Sequence, residues 1–399
     1  MAEPYPGLRP TWARVDLGAV RHNASLLRRL AAPAALCAVV KADAYGHGTV
    51  AVARAALEGG ASWLAVALVE EGLQLRDAGV DAPVLVLSEP PPAAMATIVE
   101  RGLTPTLYTA AGVAAAAAAA TAARTVMAVH VKVDTGMHRV GADPDHVLSI
   151  ATGVDAAPGL HLAGLWSHLS VADAVDDDSR AFTDGQLRLL AETRAALAAA
   201  GLDPPLVHLA NSAGAIAVPG ARLDMVRCGI ALYGVLPTTA LGPILAADPA
   251  GGGELLRPVL SLLSEVSLVR TLAAGERPSY GRSIPLERRS VIATVPIGYA
   301  DGVPRRYGAL GGTVLIGGRR CPLAGTVTMD QIVVECGPDA HVSVGDEVVL
   351  IGRQGRESLT VHDWADLLGT IGNEVLTEIG SRVPRVLVDD GGSDEEEKK

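Results

Sequence analysis

The sequence predicts an α/β protein in which an N-terminal (β/α)8 barrel of the TIM type precedes a mainly antiparallel β domain. Two observations favour the barrel: short apolar, β-branched runs recur eight times in the first 235 residues, and helix-like stretches separate them. A third favours the second domain, because the runs after residue 240 are of β type and helical pattern becomes sparse.

The elements follow in chain order. Predicted barrel strands lie at residues 36–41, 63–68, 84–87, 104–108, 128–134, 162–167, 206–209 and 225–227, with helices at 18–30, 50–57, 111–123 and 183–199. A Pro/Gly-rich linker is predicted at 237–253, and β-type runs follow at 262–269, 291–296, 313–316, 331–334 and 347–350, with one helix at 360–368. We therefore expect the barrel at 9–240, the β domain at 241–388 and a disordered, charged tail at 389–399.

Composition excludes several classes of protein. The net charge of −11 and the lack of a long basic run argue against nucleic-acid binding. The N-terminus has no signal-peptide pattern, and the alanine-rich stretch at 110–123 is too short to span a bilayer. Four scattered cysteines without a Cys-x-x-Cys pair are typical of reduced thiols in a cytoplasmic protein, so neither a disulfide framework nor a metal site is expected.

Lys41 ends the first predicted barrel strand. An ammonium group at the end of a buried strand is costly unless it is paired or neutralised. An imine with an aldehyde cofactor would neutralise it, and lysine is the residue that forms such bonds. The alternative is a lysine whose stem is buried while its ammonium group reaches solvent.

Polar residues also follow other predicted strands, where the catalytic groups of such barrels lie. Each alone could be a turn or cap residue, but together they favour an active site. They are Lys41, Asp134, His168, Asn211, Ser212 and Arg227.

The segment AVVKADAYGHG at residues 38–48 resembles the pyridoxal-phosphate lysine motif of alanine racemases. Other segments resemble the same family: VKVDTGMHRVG (131–141), WSHL (166–169), HLANSAG (208–214), RCGIALYG (227–234), PSYGR (278–282), PIGYADG (296–302), TMDQ (328–331) and RVPR (382–385). The resemblance covers residues 9–388. It implies an amino-acid racemase with pyridoxal 5'-phosphate as cofactor.

The resemblance also implies roles for residues of the barrel. Lys41 would form the imine, and Arg139 would bind the phenolate oxygen of the cofactor beside the substrate. Lys132, carbamylated, would hold Arg139 in place. The phosphate would be bound by Tyr45, by the hydroxyl of Ser212 and by the backbone N–H groups of Gly229 and Ile230.

Arg227 would face the pyridine nitrogen of the cofactor. Many pyridoxal enzymes place a carboxylate there, which keeps that nitrogen protonated. Because arginine cannot accept a proton, the ring would stay unprotonated and withdraw electrons less strongly. That suits an enzyme that only removes and returns one proton.

Racemisation needs a base on each face of the substrate. By resemblance these are Lys41 and Tyr280, the latter supplied by a second subunit and supported by His168 and Arg227. A homodimer with shared active sites is thus implied. Tyr299 would line the substrate entrance, while the Met329 N–H and Asp330 would meet the substrate carboxylate. The product would be D-alanine for peptidoglycan.

The chain departs from the family pattern at a few positions. Asn373 stands where a tyrosine that touches the phosphate is usual, Thr326 where an arginine is usual, and Thr328 where cysteine is common. Related serine racemases of the glycopeptide-resistance branch resemble this chain at Asn373. Two interpretations stay open: an ordinary alanine racemase, or a broadened enzyme that also accepts serine.

Two other functions are also considered. A non-catalytic pyridoxal-phosphate carrier would resemble only the first half of the chain, so the β domain argues against it. A decarboxylase of similar plan would need a carboxylate at the pyridine nitrogen, whereas this chain offers Arg227.

Overall fold

A computed structural model of the protein describes residues 8–390, so the predicted tail lies outside the described residues from position 391 onward. The chain forms two compact units. Within the described range, the first unit comprises residues 8–18, Tyr45–His47 and 258–390, and the second comprises Ala19–Ala44 and Gly48–Arg257.

The second unit is a closed parallel barrel. The strand β1 (Thr11–Asp16) belongs to the first unit. The barrel strands are β2 (Ala35–Val39), β3 (Trp63–Val66), β4 (Val84–Val86), β5 (Thr104–Leu107), β6 (Met127–Lys132), β7 (Leu160–Trp166), β8 (Leu206–His208) and β9 (Met225–Cys228). They form one eight-stranded sheet in which β2 pairs with β9. Between β8 and β9, the N–H of Arg227 donates to the carbonyl of Ala210 at 2.9 Å. The predicted barrel, with all eight strands, is confirmed.

Helices alternate with the barrel strands because each crossover between parallel strands needs one. They are Leu17–Ala31, Thr49–Glu58, Val69–Asp77, Met95–Glu100, Ala110–Ala123, Pro144–Ala156, Asp177–Ala199 and Ser212–Ala217. The predicted linker at 237–253 is not extended, since it contains helical turns at Thr239–Leu241, Gly242–Ala247 and Pro249–Gly251 that bury Leu241 and Leu245. Within residues 8–390, no helix combines the length and the apolar character needed to cross a bilayer.

The first unit is built from two sheets, as the predicted β domain requires. Its further strands are β10 (Leu260–Glu265), β11 (Leu268–Leu272), β12 (Ser290–Val295), β13 (Thr313–Ile316), β14 (Arg319–Pro322), β15 (Ile332–Gly337), β16 (Glu347–Gln354), β17 (Glu357–Leu359) and β18 (Arg385–Val388). One sheet has the order β14-β13-β16-β10-β1-β18, with β17 on β16, and the other is β11-β12-β15. All pairs are antiparallel except β1 with β18.

Helices Val361–Leu368 and Gly372–Thr377 complete the first unit. The first of them begins after Thr360, whose hydroxyl accepts from the N–H of Asp363 at 3.0 Å and so caps the helix.

The division into units differs from the predicted domain boundaries of 9–240 and 241–388. Residues 9–18 join the first unit because β1 hydrogen bonds to β10 and β18, hundreds of residues later in the chain. Residues 241–257 join the barrel unit, and two of their apolar side chains, Leu241 and Leu245, are buried. Neither feature leaves a local signal, since both depend on long-range packing.

Candidate active site

The carboxyl end of the barrel gathers most of the predicted site residues of the second unit. Lys41 follows β2, Asp134 follows β6, His168 follows β7, Ser212 follows β8, and Arg227 lies in β9. Because neighbouring strands are parallel, these ends meet at one rim of the barrel. Positive charge is concentrated there, since the pKa of Lys41 is lowered by burial and by Arg139, and that of Lys132 by burial, Arg227 and Arg139.

Arg227 is the centre of this cluster and is 3% exposed. Its guanidinium group donates to Nδ1 of His208 at 2.7 Å, to the carbonyl of Ser167 at 2.7 Å and to Nδ1 of His168 at 3.2 Å. It also donates to the carbonyl of Leu209 at 3.1 Å. Burial lowers the pKa of Arg227 to about 10, which still leaves the group cationic at neutral pH. The side chain is thus fixed as a charged donor.

Arg227 also decides the protonation of the two histidines that contact it. A guanidinium group can only donate, so Nδ1 of His168 and Nδ1 of His208 must accept. Burial and the charge of Arg227 hold the pKa of both rings well below the ordinary histidine value. Each ring is therefore neutral and carries its proton on Nε2.

A third histidine extends this chain of hydrogen bonds into the barrel. Nε2 of His208 lies 2.9 Å from Nδ1 of His130, and since His208 is protonated at Nε2, His130 accepts. Burial lowers the pKa of His130 to about 3, so this ring is neutral as well. Gly164 makes room for it, because a Cβ there would lie 2.6 Å from the His130 ring. The hydrogen bonds therefore run in one direction: Arg227 donates to His208, and His208 donates to His130.

Lys132 is the other buried cation at this rim, and it is 3% exposed. Its Nζ lies 4.2 Å from the ring centroid of Trp166, while the Cζ of Arg227 lies 4.5 Å from the same centroid. Burial, followed by the charges of Arg227 and Arg139, lowers the pKa of Lys132 to about 7. A large fraction of this amine is therefore neutral and nucleophilic near neutral pH.

A group of N–H and O–H donors lies beside Arg227. The hydroxyl oxygen of Ser212 accepts from the N–H of Gly229 at 3.0 Å and from the N–H of Ala231 at 3.3 Å. Because both oxygen lone pairs are used, the Ser212 proton is left to donate. Asn211 begins the next helix, with its side-chain oxygen accepting from the N–H of Gly214 at 2.9 Å. The Ser212 O–H therefore suits a bound anion, while the N–H groups of the predicted Gly229 and of Ala231 hold its oxygen in place.

The loop after β6 presents Arg139. Asp134 organises this loop, since its Oδ1 accepts from the N–H groups of Gly136, Met137 and His138. Burial opposes ionisation of Asp134, but these hydrogen bonds outweigh it and lower its pKa. Arg139 itself is exposed, and within residues 8–390 its side chain makes no hydrogen bond or ion pair. It remains available to a ligand.

Lys41 is the first residue of a helical turn with an unusual, left-handed backbone conformation. The φ angles of Ala42, Asp43, Ala44 and Tyr45 lie between 51° and 53°, so the turn at Lys41–Gly46 is left-handed. This conformation costs roughly 1–2 kcal/mol per residue and persists where surrounding contacts impose it. Oε1 of Glu71 accepts from the N–H of Ala42 at 2.6 Å, which holds the first residue of the turn.

The turn continues into residues that belong to the first unit. There Tyr45 is buried, and the guanidinium group of Arg385 donates to the carbonyl of Gly46 at 2.8 Å. Arg385 also donates to the carbonyls of Ile379, Gly380 and Val383. The RVPR motif therefore fixes the end of the left-handed turn.

The remaining predicted site residues belong to the first unit, in short connections between strands. Tyr280 begins a 3-10 turn, is 73% exposed and follows Ser279, whose φ is 68°. Tyr299 begins another turn, and the N–H of Tyr299 donates to the carbonyl of Thr328 at 3.0 Å. Gly298 is required at this contact, because a Cβ there would lie 2.3 Å from two backbone carbonyl oxygens.

Met329 and Asp330 lie in the connection between β14 and β15. Met329 is 52% exposed, and the carbonyl of Met329 accepts from the N–H of Ala300 at 3.0 Å. Asp330 forms an ion pair with Arg382 at 2.7 Å. Asn373 is half-buried in helix Gly372–Thr377, and within residues 8–390 its side-chain amide makes no hydrogen bond.

Some residues of this cluster had no role assigned from the sequence. His208 and His130 share the Arg227 network, and Trp166 stacks on His208 with ring centroids 5.6 Å apart. Strand alternation could have identified His130, because it lies two residues before Lys132 and therefore on the same face of β6. No group of three or more His, Cys, Asp or Glu side chains within residues 8–390 is arranged to hold a metal ion.

Comparisons with known proteins identify the family. Two family models match, described as "Alanine racemase, N-terminal domain" over residues 15–237 and "Alanine racemase, C-terminal domain" over residues 259–387. An alanine racemase from Symbiobacterium thermophilum is 44% identical over 380 residues, which cover 95% of this chain and 97% of the relative. One from Thermobifida fusca is 41% identical over 377 residues, which cover 94% and 97% respectively.

Solved structures agree with these relatives. The alanine racemase from Bacillus anthracis with bound L-Ala-P superimposes with a TM-score of 0.88 at 36% identity, covering 97% of both chains. The enzyme from Streptomyces coelicolor A3(2) gives a TM-score of 0.87 at 38% identity, covering 96% of this chain and 98% of the other. The resemblance seen in the sequence motifs is thus confirmed, and the chain belongs to the alanine racemase family.

Proposed function

We propose that this protein is a cytoplasmic, pyridoxal-phosphate-dependent racemase that interconverts L- and D-alanine. Arg227 carries the proposal. It is a buried guanidinium group whose side-chain partners in residues 8–390 are two neutral histidines, with no carboxylate among them. A decarboxylase would need a carboxylate at this position, so Arg227 favours simple proton exchange.

The donor set at the barrel rim fits pyridoxal phosphate. Lys41 has a lowered pKa and so offers the neutral amine that imine formation requires. The O–H of Ser212, whose oxygen is held by Gly229 and Ala231, suits the phosphate together with the N–H of Ile230, and Arg139 is exposed and could reach the phenolate oxygen. When bound, the cofactor supplies an electron-withdrawing ring that acidifies the α-proton of the substrate.

Lys41 then serves as one base, since its lowered pKa increases the fraction of the neutral, proton-accepting amine. We assign the second base to Tyr280 of the partner subunit. His168 supports it, because its Nε2–H can donate to a phenolate oxygen and so stabilise the deprotonated form. The homodimer follows from this assignment, and D-alanine would serve peptidoglycan synthesis.

The substrate carboxylate would be bound by the backbone N–H of Met329. Asp330 would act indirectly, since its carboxylate is paired with Arg382 and holds this connection in place. Tyr299 would line the entrance, consistent with its 41% exposure.

Lys132 would carry a carbamate. Its pKa of about 7 leaves enough neutral amine to add to carbon dioxide with loss of a proton, and the product anion would have Arg227 and Arg139 as electrostatic partners. Protein equilibrated with ¹³C-bicarbonate should show a carbamate carbon signal by NMR. The signal should be missing from Lys132→Met, and its absence from the unaltered protein would contradict the assignment.

The first experiment is chiral chromatography after incubation of the cofactor-loaded protein with L-alanine and, separately, L-serine. D-alanine in large excess supports an alanine racemase. Comparable D-serine would support the broader alternative. The amide of Asn373, which makes no hydrogen bond within residues 8–390, favours it because that amide could bind a substrate hydroxyl. If neither D-alanine nor D-serine is formed, the carrier and decarboxylase functions remain as the alternatives.

Spectroscopy tests the attachment of the cofactor. Lys41→Ala should lose the visible absorbance band of lysine-bound pyridoxal phosphate. Lys132→Met is the matched control, because Lys132 is the other lysine at this rim with a lowered pKa and should be dispensable for the band. Loss of the band in the control but not in Lys41→Ala would move the attachment to Lys132.

A further inference from the structure

Two cysteines of the first unit lie opposite each other where β14 meets β15. Leu323 and Val334 form an antiparallel bridge, next to which the N–H of Ala324 donates to the carbonyl of Val333 at 2.7 Å. If this register is extended by two residues along each strand, Cys321 lies opposite Cys336, and a hydrogen bond between the two thiols agrees with that placement. Since alternate residues of a strand share a face, both thiols lie on the same side.

The register also places this pair at the closer of the two spacings found in antiparallel strands. The N–H of Leu323 donates to the carbonyl of Gly312 at 3.0 Å, not to Val334, so Leu323 and Val334 form a non-hydrogen-bonded pair. Because pairs of the two kinds alternate along the strands, Cys321 and Cys336 form a non-hydrogen-bonded pair as well. Such pairs have Cα atoms about 4.5 Å apart, which lies within the range of roughly 4.4–6.8 Å that a disulfide spans.

Both cysteines line the same surface cavity, which has a volume of about 240 Å³. Three arginines (Arg288, Arg319 and Arg320) and two glutamates (Glu287 and Glu335) line it as well, so its charged side chains carry a net charge of +1, which favours a thiolate. The cysteines are only 3% and 7% exposed, but a small uncharged oxidant in the cavity would meet them directly.

The two thiols are not equivalent. A hydrogen bond from Cys336, helped by the charge of Arg319, lowers the pKa of Cys321, and the same hydrogen bond raises the pKa of Cys336. Cys321 is therefore the thiol that ionises. In contrast, burial raises the pKa of Cys37 and of Cys228 to about 12, which makes them unreactive internal controls.

We propose that Cys321 and Cys336 form a redox-active dithiol that a hydroperoxide oxidises to an intramolecular disulfide. The Cys321 thiolate attacks the peroxide oxygen, so that an S–O bond forms, the O–O bond breaks and hydroxide leaves. The Cys336 sulfur then attacks Cys321, so that the S–S bond forms, the S–O bond breaks and water leaves with the Cys336 proton. Overall two thiols and hydrogen peroxide give one disulfide and two waters.

The bond would close the segment from 322 to 335, which carries Met329 and Asp330. The inference does not depend on the proposed racemase activity, because it rests on the register and cavity of the first unit alone.

The test uses the full-length, cofactor-loaded protein. After exposure to hydrogen peroxide it is denatured, alkylated with iodoacetamide and mapped by peptide mass spectrometry. All four cysteines of the chain should be alkylated before oxidation. Afterwards Cys37 and Cys228 should remain alkylated while Cys321 and Cys336 appear as one linked peptide, and dithiothreitol should restore the original pattern. Full alkylation after peroxide, or a link that includes Cys37 or Cys228, would overturn the proposal.

Single variants test the order of the two steps. Cys336→Ser should leave a sulfenic acid on Cys321 that dimedone traps, whereas Cys321→Ser should leave Cys336 unlabelled. Cys37→Ala, the control, should retain the disulfide. Equal dimedone labelling of the Cys321→Ser and Cys336→Ser variants would contradict the assignment of Cys321 as the attacking thiol.

Discussion

The two units present their candidate site residues in opposite ways. At the barrel rim, Arg227 and Lys132 are each 3% exposed, and four hydrogen bonds fix the guanidinium group of Arg227. In the first unit, Tyr280 is 73% exposed and Met329 is 52% exposed, on short connections between strands. One set is preorganised by burial, and the other is held by its backbone.

This difference indicates how the proposed chemistry is divided. Groups that must keep a fixed charge are buried, because a low dielectric strengthens their interactions and fixes their tautomers. Groups proposed to reach a partner subunit's site have to be exposed in the single chain. A substitution at the barrel rim should therefore lower stability as well as activity, whereas a substitution in the first unit should mainly lower activity.

Tyr280→Phe should have the largest effect of the proposed substitutions on activity. Loss of a general base costs on the order of 100- to 10,000-fold, while the stability of the chain should stay unchanged because the side chain is exposed. The loss should be unequal in the two directions, measured as solvent deuterium uptake into product from L- and from D-alanine. Equal losses in both directions would contradict the two-base assignment.

Mixing variants tests whether the site is shared. Lys41→Ala and Tyr280→Phe chains are each inactive in the proposed mechanism. If Tyr280 comes from the partner, a mixed dimer contains one complete site, so statistical mixing should restore roughly a quarter of the activity. A mixture that stays inactive after subunit exchange would place both bases in one chain.

Arg227→Lys should reduce activity by about 100-fold, the cost of removing one preorganised donor. It should also lower stability, because lysine cannot reproduce the fork that contacts His168, His208 and two backbone carbonyls. Urea denaturation of the variant beside Tyr280→Phe separates the two regions. If Arg227→Lys were as stable as the original protein, the buried hydrogen bonds of Arg227 would not contribute to stability at the rim.

Lys132 gives the rim a dependence on pH. Its pKa falls from the ordinary lysine value to about 7 in the folded protein, so the unfolded chain binds the proton more tightly. Burying the charged amine lowers stability below pH 7, and this penalty is relieved as the pH rises from about 7 to 10. In carbonate-free buffer, Lys132→Met should therefore be more stable than the original at pH 6, by about 1–3 kcal/mol, and similar at pH 10. Urea unfolding at both pH values measures this.

Much of the barrel could be predicted because its signals are local. Each strand is a short apolar run, and polar residues such as His168 stand directly after it. By contrast, β1 could not be placed, since its partners β10 and β18 are remote in sequence. The left-handed turn after Lys41 also left no signal, because Ala42 and Ala44 ordinarily favour right-handed helix.

The site was predictable as a set of residues more than as a network. Arg227 was identified, but the hydrogen bonds from Arg227 to His208 and from His208 to His130 depend on which strands become neighbours in the closed barrel. Likewise, Ala231 contributes a backbone N–H, which no side-chain pattern reveals.

Asn373→Tyr should have the smallest effect of these substitutions and tests the first unit at its least constrained predicted site residue. The Asn373 amide makes no hydrogen bond within the described residues, so its replacement should change stability little. A bulkier ring would fill space open to a hydroxymethyl side chain, and one such group is worth about 1–3 kcal/mol in discrimination. The ratio of D-serine to D-alanine formed should fall at least several-fold, measured by chiral chromatography in parallel incubations. The same ratio should fall less in Asn373→Gln, which keeps the amide. An unchanged ratio in Asn373→Tyr would remove Asn373 from the determinants of specificity and leave it a tolerated variation in an alanine racemase.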